Sequence, residues 1–133
     1  MAILIDADVI LQAERGLFDL EAWLVAHPHE TFKVAAITVA ELWHGAASAT
    51  GPRLATRQLF LRQLSDCFDI VPYTSQTAFE HARLWAEINS GGQTLGTNDL
   101  ILAATAIQTG NALATFNKHR FTSVKGLHVI EPA

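Results

Sequence analysis

Short apolar runs of strand length alternate along this chain with longer segments of helical periodicity, and this alternation restricts the fold more than any other feature. Ile3-Leu4-Ile5 reads as a short buried strand, followed by Val34–Ile37, Phe68–Val71, Ala112–Thr115 and Leu127–Ile130. Between them, Asp19–Ala26 sets Leu20, Trp23 and Leu24 at helical spacing, and Thr38–Ser48 sets Leu42, Trp43 and Ala46 on one face. Gly51-Pro52 opens another helix, running to about Asp66, because proline suits a first helical turn. Thr77-Ala78-Phe79-Glu80 has capping-box form and starts a helix that ends near Ser90-Gly91-Gly92. Gly96-Thr97-Asn98 precedes the most apolar helix, which stops at Gly110-Asn111. Elements in this order imply an α/β domain with a central, mainly parallel sheet of about five strands and helices on both faces.

The 133 residues fit a single domain spanning 1–133. Half the residues (50%) are hydrophobic and 17% are charged, which excludes a disordered chain. No apolar stretch reaches the length of a membrane span; Ala2–Ile5 is too short for a signal peptide and has no basic flank. Cys67 is alone, so no intrachain disulfide can form and a reducing cytoplasm is the expected location. The formal net charge of −4 argues against a broad basic face held to nucleic acid. It does not exclude a nucleic-acid enzyme that meets its substrate through bound cations.

Acids stand at the junctions between elements. Asp6 ends the run Ala2-Ile3-Leu4-Ile5, Glu41 follows Val34–Ile37, and Asp99 opens the segment Leu100–Ala104. Carboxylates that hug apolar elements are costly to desolvate. Gathered at one place they would repel, and one would take up a proton unless a cation held them. Such an all-oxygen set suits a hard divalent ion. Parallel sheets bind ligands beyond the carboxyl ends of their strands, which is where Asp6, Glu41 and Asn117 fall.

Each of these residues also has an ordinary structural use. Asp6 or Asp8 can cap the helix that follows. Thr38-Val39-Ala40-Glu41 has capping-box form. Asp99 can complement a helix dipole, with Thr97 or Asn98 as the cap. Thr115 and Asn117 can close a turn. Lys118, His119 and Arg120 can face solvent, or meet substrate phosphates beside the acids.

The remaining features point elsewhere. The six histidines show no paired zinc spacing, and His27-Pro28-His29 reads as a surface turn. There is no Gly-x-Ser-x-Gly elbow and no Gly-x-x-x-x-Gly-Lys loop. Trp23, Trp43 and Trp85 read as core or interface anchors. Arg53 and Arg57, four apart, read as an exposed basic stripe. In Leu54–Leu61, Leu54, Leu61 and one of Leu59 or Phe60 face the core; the surplus apolar surface suits a partner helix.

Four segments together resemble the PIN-domain family and, within it, the VapC-type toxins. They are Ile5-Asp6-Ala7-Asp8-Val9-Ile10, Thr38-Val39-Ala40-Glu41-Leu42-Trp43-His44-Gly45-Ala46, Gly96-Thr97-Asn98-Asp99-Leu100-Ile101-Leu102-Ala103-Ala104, and Thr115 through Phe121. The resemblance implies a PIN-like three-layer α/β/α domain. It also implies a toxin of a type II toxin–antitoxin system: a magnesium- or manganese-dependent endoribonuclease, cytoplasmic, homodimeric, and paired with a small VapB-type antitoxin. Asp6, Glu41 and Asp99 would form the metal set, Asn117 would join them in catalysis, and Lys118 and Arg120 would meet the RNA. The last segment departs from the family pattern. Many relatives carry an acid where Asn117 stands, and an acid or histidine where Arg120 stands, which puts a full second-metal site in question.

Two alternatives remain at this level. A haloacid dehalogenase-type phosphatase also begins with a strand and Asp-x-Asp, here Asp6 as nucleophile and Asp8. Ile10 and the lack of a late paired-aspartate motif count against it. The other is a non-catalytic metal-binding docking domain that uses the same acidic pocket.

Overall fold

In the computed structural model, which describes residues 1–133, the run Ala2–Ile5 forms β1 at the centre of a five-stranded sheet. Thr31–Ala35 (β2), Asp69–Val71 (β3), Ala112–Ala114 (β4) and Val129–Ile130 (β5) complete it in the order β3-β2-β1-β4-β5. Every neighbouring pair is parallel. Such a sheet must be covered on both faces, and the alternation along β1 shows how. Leu4 enters a core with Leu84, Ile88, Leu102 and Leu113, whereas Ile3 and Ile5 enter the opposite side.

Helices Ser75–Ser90 (α5) and Thr97–Thr109 (α6) cover the Leu4 face. Helices Ala7–Glu14 (α1), Leu20–Ala26 (α2) and Pro52–Cys67 (α4) cover the Ile5 face. Ala36–Ala46 (α3) serves both: Ile37 packs into the first core, and Leu42 and Ala46 into the second. This helix therefore lies across the carboxyl edge of the sheet with Glu41 in its middle. Gly110 closes α6 at φ 71°, the left-handed conformation that favours glycine. No helix is long and apolar enough to cross a membrane.

Several local readings are corrected. β2 ends at Ala35 and α3 begins at once, so Ala36 and Ile37 are helical, not strand. The β preference of Ile37 yields to the burial it gains against α6. Thr38 is consequently inside the helix and fully buried, and the capping box with Glu41 does not form. In α5 the box sits three residues earlier than its sequence pattern: the Thr77 amide donates to Thr74 Oγ1 (3.4 Å) and the Thr74 amide to Thr77 Oγ1 (3.0 Å). Glu80, freed from capping, pairs with Arg83. Gly96, not Thr97 or Asn98, occupies the N-cap of α6. In α4 it is Phe60 that turns inward, leaving Leu59 exposed. Arg57 is partly buried beside Glu14 (3.6 Å) and does not join Arg53 in an exposed stripe.

The strand order reverses at β1, with β2 and β3 on one side and β4 and β5 on the other. The crevice at such a reversal, beyond the carboxyl ends of the strands, is where open α/β sheets place their ligands.

Candidate active site

Asp6 lies one residue past β1 and is only 3% exposed. Its amide extends the ladder by donating to the Ala114 carbonyl at 2.9 Å. Ile5 pairs with Ala114, so the next residues, Asp6 and Thr115, stand side by side. Asp6 Oδ1 accepts from the Ala7 amide (2.7 Å), which makes this carboxylate the cap of α1 as well. Asp6 Oδ2 accepts from Thr115 Oγ1 (2.9 Å) and Arg120 Nη2 (3.0 Å).

Asp8 closes the other side. Thr115 Oγ1 lies 3.1 Å from Asp8 Oδ2, which also accepts from the Phe116 amide at 3.1 Å. The Asn117 amide donates to Thr115 Oγ1 at 3.0 Å. One hydroxyl hydrogen thus faces two carboxylates. The two carboxylates share that hydrogen, while the Ala7 amide and Arg120 also donate to Asp6 and the Phe116 amide to Asp8.

Arg120 bridges the acids, with Nη2 on Asp6 and Nη1 3.2 Å from Asp99 Oδ1. Asp99 is in the first turn of α6, as the sequence suggests, and is held half-buried at the crevice. Glu41 reaches toward the same place from α3; it lines, with Gly96–Asp99 and Arg120, an open cleft of about 330 Å³.

The electrostatics reflect this crowding. Burial, then the Asp8 charge, push the Asp6 carboxyl up to about 6, against the pull of Thr115, the Ala7 amide and Arg120. Burial followed by the Asp6 and Asp99 charges raises Glu41, with Arg120 and the Asn98 side chain opposing. Asp99 is raised by burial, with Arg120 opposing and Asp8 adding to the rise. The site costs free energy as it stands, and added positive charge would relieve it.

As the side chains stand, no three acids are gathered tightly enough to close round one ion. The Arg120 guanidinium occupies the space between Asp6 and Asp99 instead. The donor set nevertheless fits a hard divalent cation: Asp6, Glu41 and Asp99 offer only oxygens and are raised by burial, and Asp6 and Asp99 already bind one cationic stand-in. Asp6 and Asp99 are the residues that could hold such an ion, with Glu41 and Asp8 flanking it.

The predicted residues therefore separate. Asp6, Asp99 and Arg120 are in direct contact, and Glu41 is electrostatically joined to them. Asn117 is exposed at the rim and enters the hydrogen-bond network through its backbone amide. Lys118 is exposed beyond it, on the short 3-10 helix Lys118–Phe121. Asp8 and Thr115 belong to the centre, although the sequence offers capping and turn formation for them. The sequence reading runs the fourth strand through Thr115, whereas β4 ends at Ala114 and leaves Thr115 at its carboxyl end beside Asp6; that these two strands pair is not written locally.

Residues 3–127 match the PIN domain family. The chain is 32% identical over 139 residues to "VapC ribonuclease Y4jK" of Sinorhizobium fredii, covering 98% of this chain and 96% of that protein. It is 28% identical over 131 residues to "Ribonuclease VapC1" of Rickettsia felis, at 98% and 96% coverage. Among solved structures, the VapBC2 complex of Rickettsia felis bound to a promoter DNA fragment has the same fold, with a TM-score of 0.90 at 21% identity and full coverage (100%) of both chains. FitAcB from Neisseria gonorrhoeae aligns with a TM-score of 0.86 at 29% identity, over 98% of this chain and 97% of that one. A sheet whose order reverses beside a buried carboxylate, and a match along nearly its whole length, place this chain in the PIN-domain family, among the VapC ribonucleases.

Proposed function

We propose that this chain is the toxin of a toxin–antitoxin pair and acts as a metal-dependent endoribonuclease. The observation that carries the reading is the buried Asp6, raised to about 6 and flanked by Asp8, Glu41 and Asp99 with a single arginine among them. A centre so short of positive charge is suited to magnesium or manganese. When bound, a divalent ion lowers the pKa of water and stabilises charge on phosphate oxygens.

The chain's own residues do the rest. Asp6 and Asp99 would hold the cation, Glu41 would receive a proton at the cleft, and Thr115 keeps the Asp6 and Asp8 carboxylates in place. Arg120, His119, Thr122 and Ser123 line a polar groove of about 510 Å³ that continues from the centre and offers a path for a phosphate backbone. Asn117 and Lys118 are exposed on the segment that leads into Arg120. The haloacid dehalogenase alternative loses support, because both Asp6 oxygens are engaged and the carboxylate is 3% exposed, poorly placed as a nucleophile.

The partner reading rests on solved neighbours such as VapBC-5 of Mycobacterium tuberculosis, a member of the VapBC family of toxin–antitoxin systems, and a toxin–antitoxin complex from Klebsiella pneumoniae. An apolar cleft of about 650 Å³ between α2 and α4, lined by Phe18, Leu20, Leu24, Phe60, Leu64 and Phe68, suits an amphipathic helix of a VapB-type antitoxin.

The test is incubation of purified protein with total cellular RNA, with magnesium, with manganese, or with chelator, followed by mapping of the ends. Expected is metal-dependent internal cleavage that leaves 5′-phosphate and 3′-hydroxyl ends. Intact RNA under both metals would overturn the enzymatic reading.

A further inference from the structure

We infer that Arg120 is a resident counter-cation of the acidic centre, and that a divalent ion can enter only by displacing it. The inference rests on the metal reading of the site and goes beyond it, because it assigns this arginine a role before any substrate arrives. Arg120 Nη2 and Nη1 lie 3.0 Å from Asp6 Oδ2 and 3.2 Å from Asp99 Oδ1. Those are the two acids best placed to ligate an ion, so guanidinium and ion compete for the same oxygens. Two cations there would repel each other at close range.

The arginine is held in place but not locked. Its amide donates to the Asn117 carbonyl at 3.0 Å, and its guanidinium carbon lies 5.4 Å from the ring centre of Phe121, which is 2% exposed. Its own side chain remains 38% exposed, against 4% for Asp6 and 17% for Asp99. It therefore has an exit: the polar groove beside Gly96, His119, Thr122 and Ser123, which Glu41 does not line. With Arg120 inward, the acids are partly neutralised and the chain is stable without metal. With Arg120 outward, the acids are free for an ion and the guanidinium faces the groove. An acid or a neutral side chain at this position would leave the centre open to metal at all times; here it is guarded.

The experiment is calorimetric titration of manganese into metal-free wild type, Arg120→Gln, Arg120→Lys and the double variant Asp6→Asn with Arg120→Gln. Thermal melting is run on each before and after metal. Loss of a charge-assisted competitor is expected to tighten manganese binding in Arg120→Gln by about tenfold or more. The same variant is expected to melt lower than wild type without metal and to recover when manganese is added. Arg120→Lys, which keeps the charge and loses the fork, is expected to lie between, and it guards against a Gln variant that fails to fold. The double variant is expected to lose the gain. Equal or weaker manganese affinity in Arg120→Gln would overturn the inference and leave Arg120 as an RNA contact, with the metal reading intact. No manganese binding by any of the four proteins would overturn the metal reading, and this inference with it.

Discussion

Asp6 combines three demands in one side chain: it caps α1, it faces Asp8 across the Thr115 hydroxyl, and it meets Arg120. Its carboxyl sits at about 6 in the folded chain, above the ordinary value of 3.8. Between those values the native state holds more protons than the unfolded state, so this group makes stability fall as pH rises through the window. Metal-free wild type is therefore expected to melt higher at about pH 5 than at about pH 7, and Asp6→Asn to lose most of that difference. At neutral pH the variant should melt at least as high as wild type, while RNA cleavage drops by about a hundredfold or more. Paired melting curves and cleavage assays check both; a variant that cleaves at the wild-type rate would remove Asp6 from the mechanism. Glu41 allows a cleaner separation, because α3 starts at Ala36 and leaves it no capping duty. Glu41→Gln is expected to keep or slightly raise metal-free stability, since burial and the Asp6 and Asp99 charges already oppose its ionisation. Manganese affinity should fall, and unchanged affinity would return Glu41 to a purely structural role.

Among the elements, the start of α5 shows why helix boundaries are harder to read than helix existence. Thr77-Ala78-Phe79-Glu80 matches the capping pattern, yet Thr74 and Thr77 form the box, and Thr77 Oγ1 also donates to Gln108 Oε1 on α6 at 2.9 Å. That long-range bond ties the α5 start to α6, a link no local pattern announces. Thr77 is fully buried, so Thr77→Val should cost about 1–2 kcal/mol through the lost cap and the orphaned Thr74 amide. Denaturant unfolding would measure the loss, while cleavage per folded molecule should stay unchanged; a neutral variant would mean that water satisfies these groups. The same boundary problem explains β2 and α3. Val34-Ala35-Ala36-Ile37 reads as one apolar strand, and only the need to cover both cores at the sheet edge turns Ala36 and Ile37 into helix.

At the scale of the whole molecule, apolar surface is left over on two sides. One is the α2–α4 cleft, and another is a pocket between α5 and the start of α6, where Trp85 is 59% exposed beside His81. An exposed tryptophan at the rim of a pocket is the anchor expected of a self-association surface. We predict that the free chain sediments as a dimer and that Trp85→Glu shifts it to monomer without lowering its melting temperature. A dimer unaffected by this change would move the interface elsewhere on the molecule.

The order of residues determined the layered architecture by itself, because burial repeats locally. Fully apolar runs such as Ala2–Ile5 demand cover on both faces, and the segments between them have the helical period that supplies it. It also marked Asp6, Glu41 and Asp99, since an acid against an apolar element is conspicuous wherever the chain later goes. Tertiary structure decided what those acids meet. The Thr115–Asp6 bond spans 109 residues and the Arg120–Asp6 bond 114, and both exist only because β4 pairs in register with β1. A contact across such a separation leaves no trace in local composition, so Asp8 and Thr115 read as a cap and a turn, and Arg120 as a solvent-facing or phosphate-contacting cation rather than a partner of Asp6 and Asp99, until the strands are laid side by side.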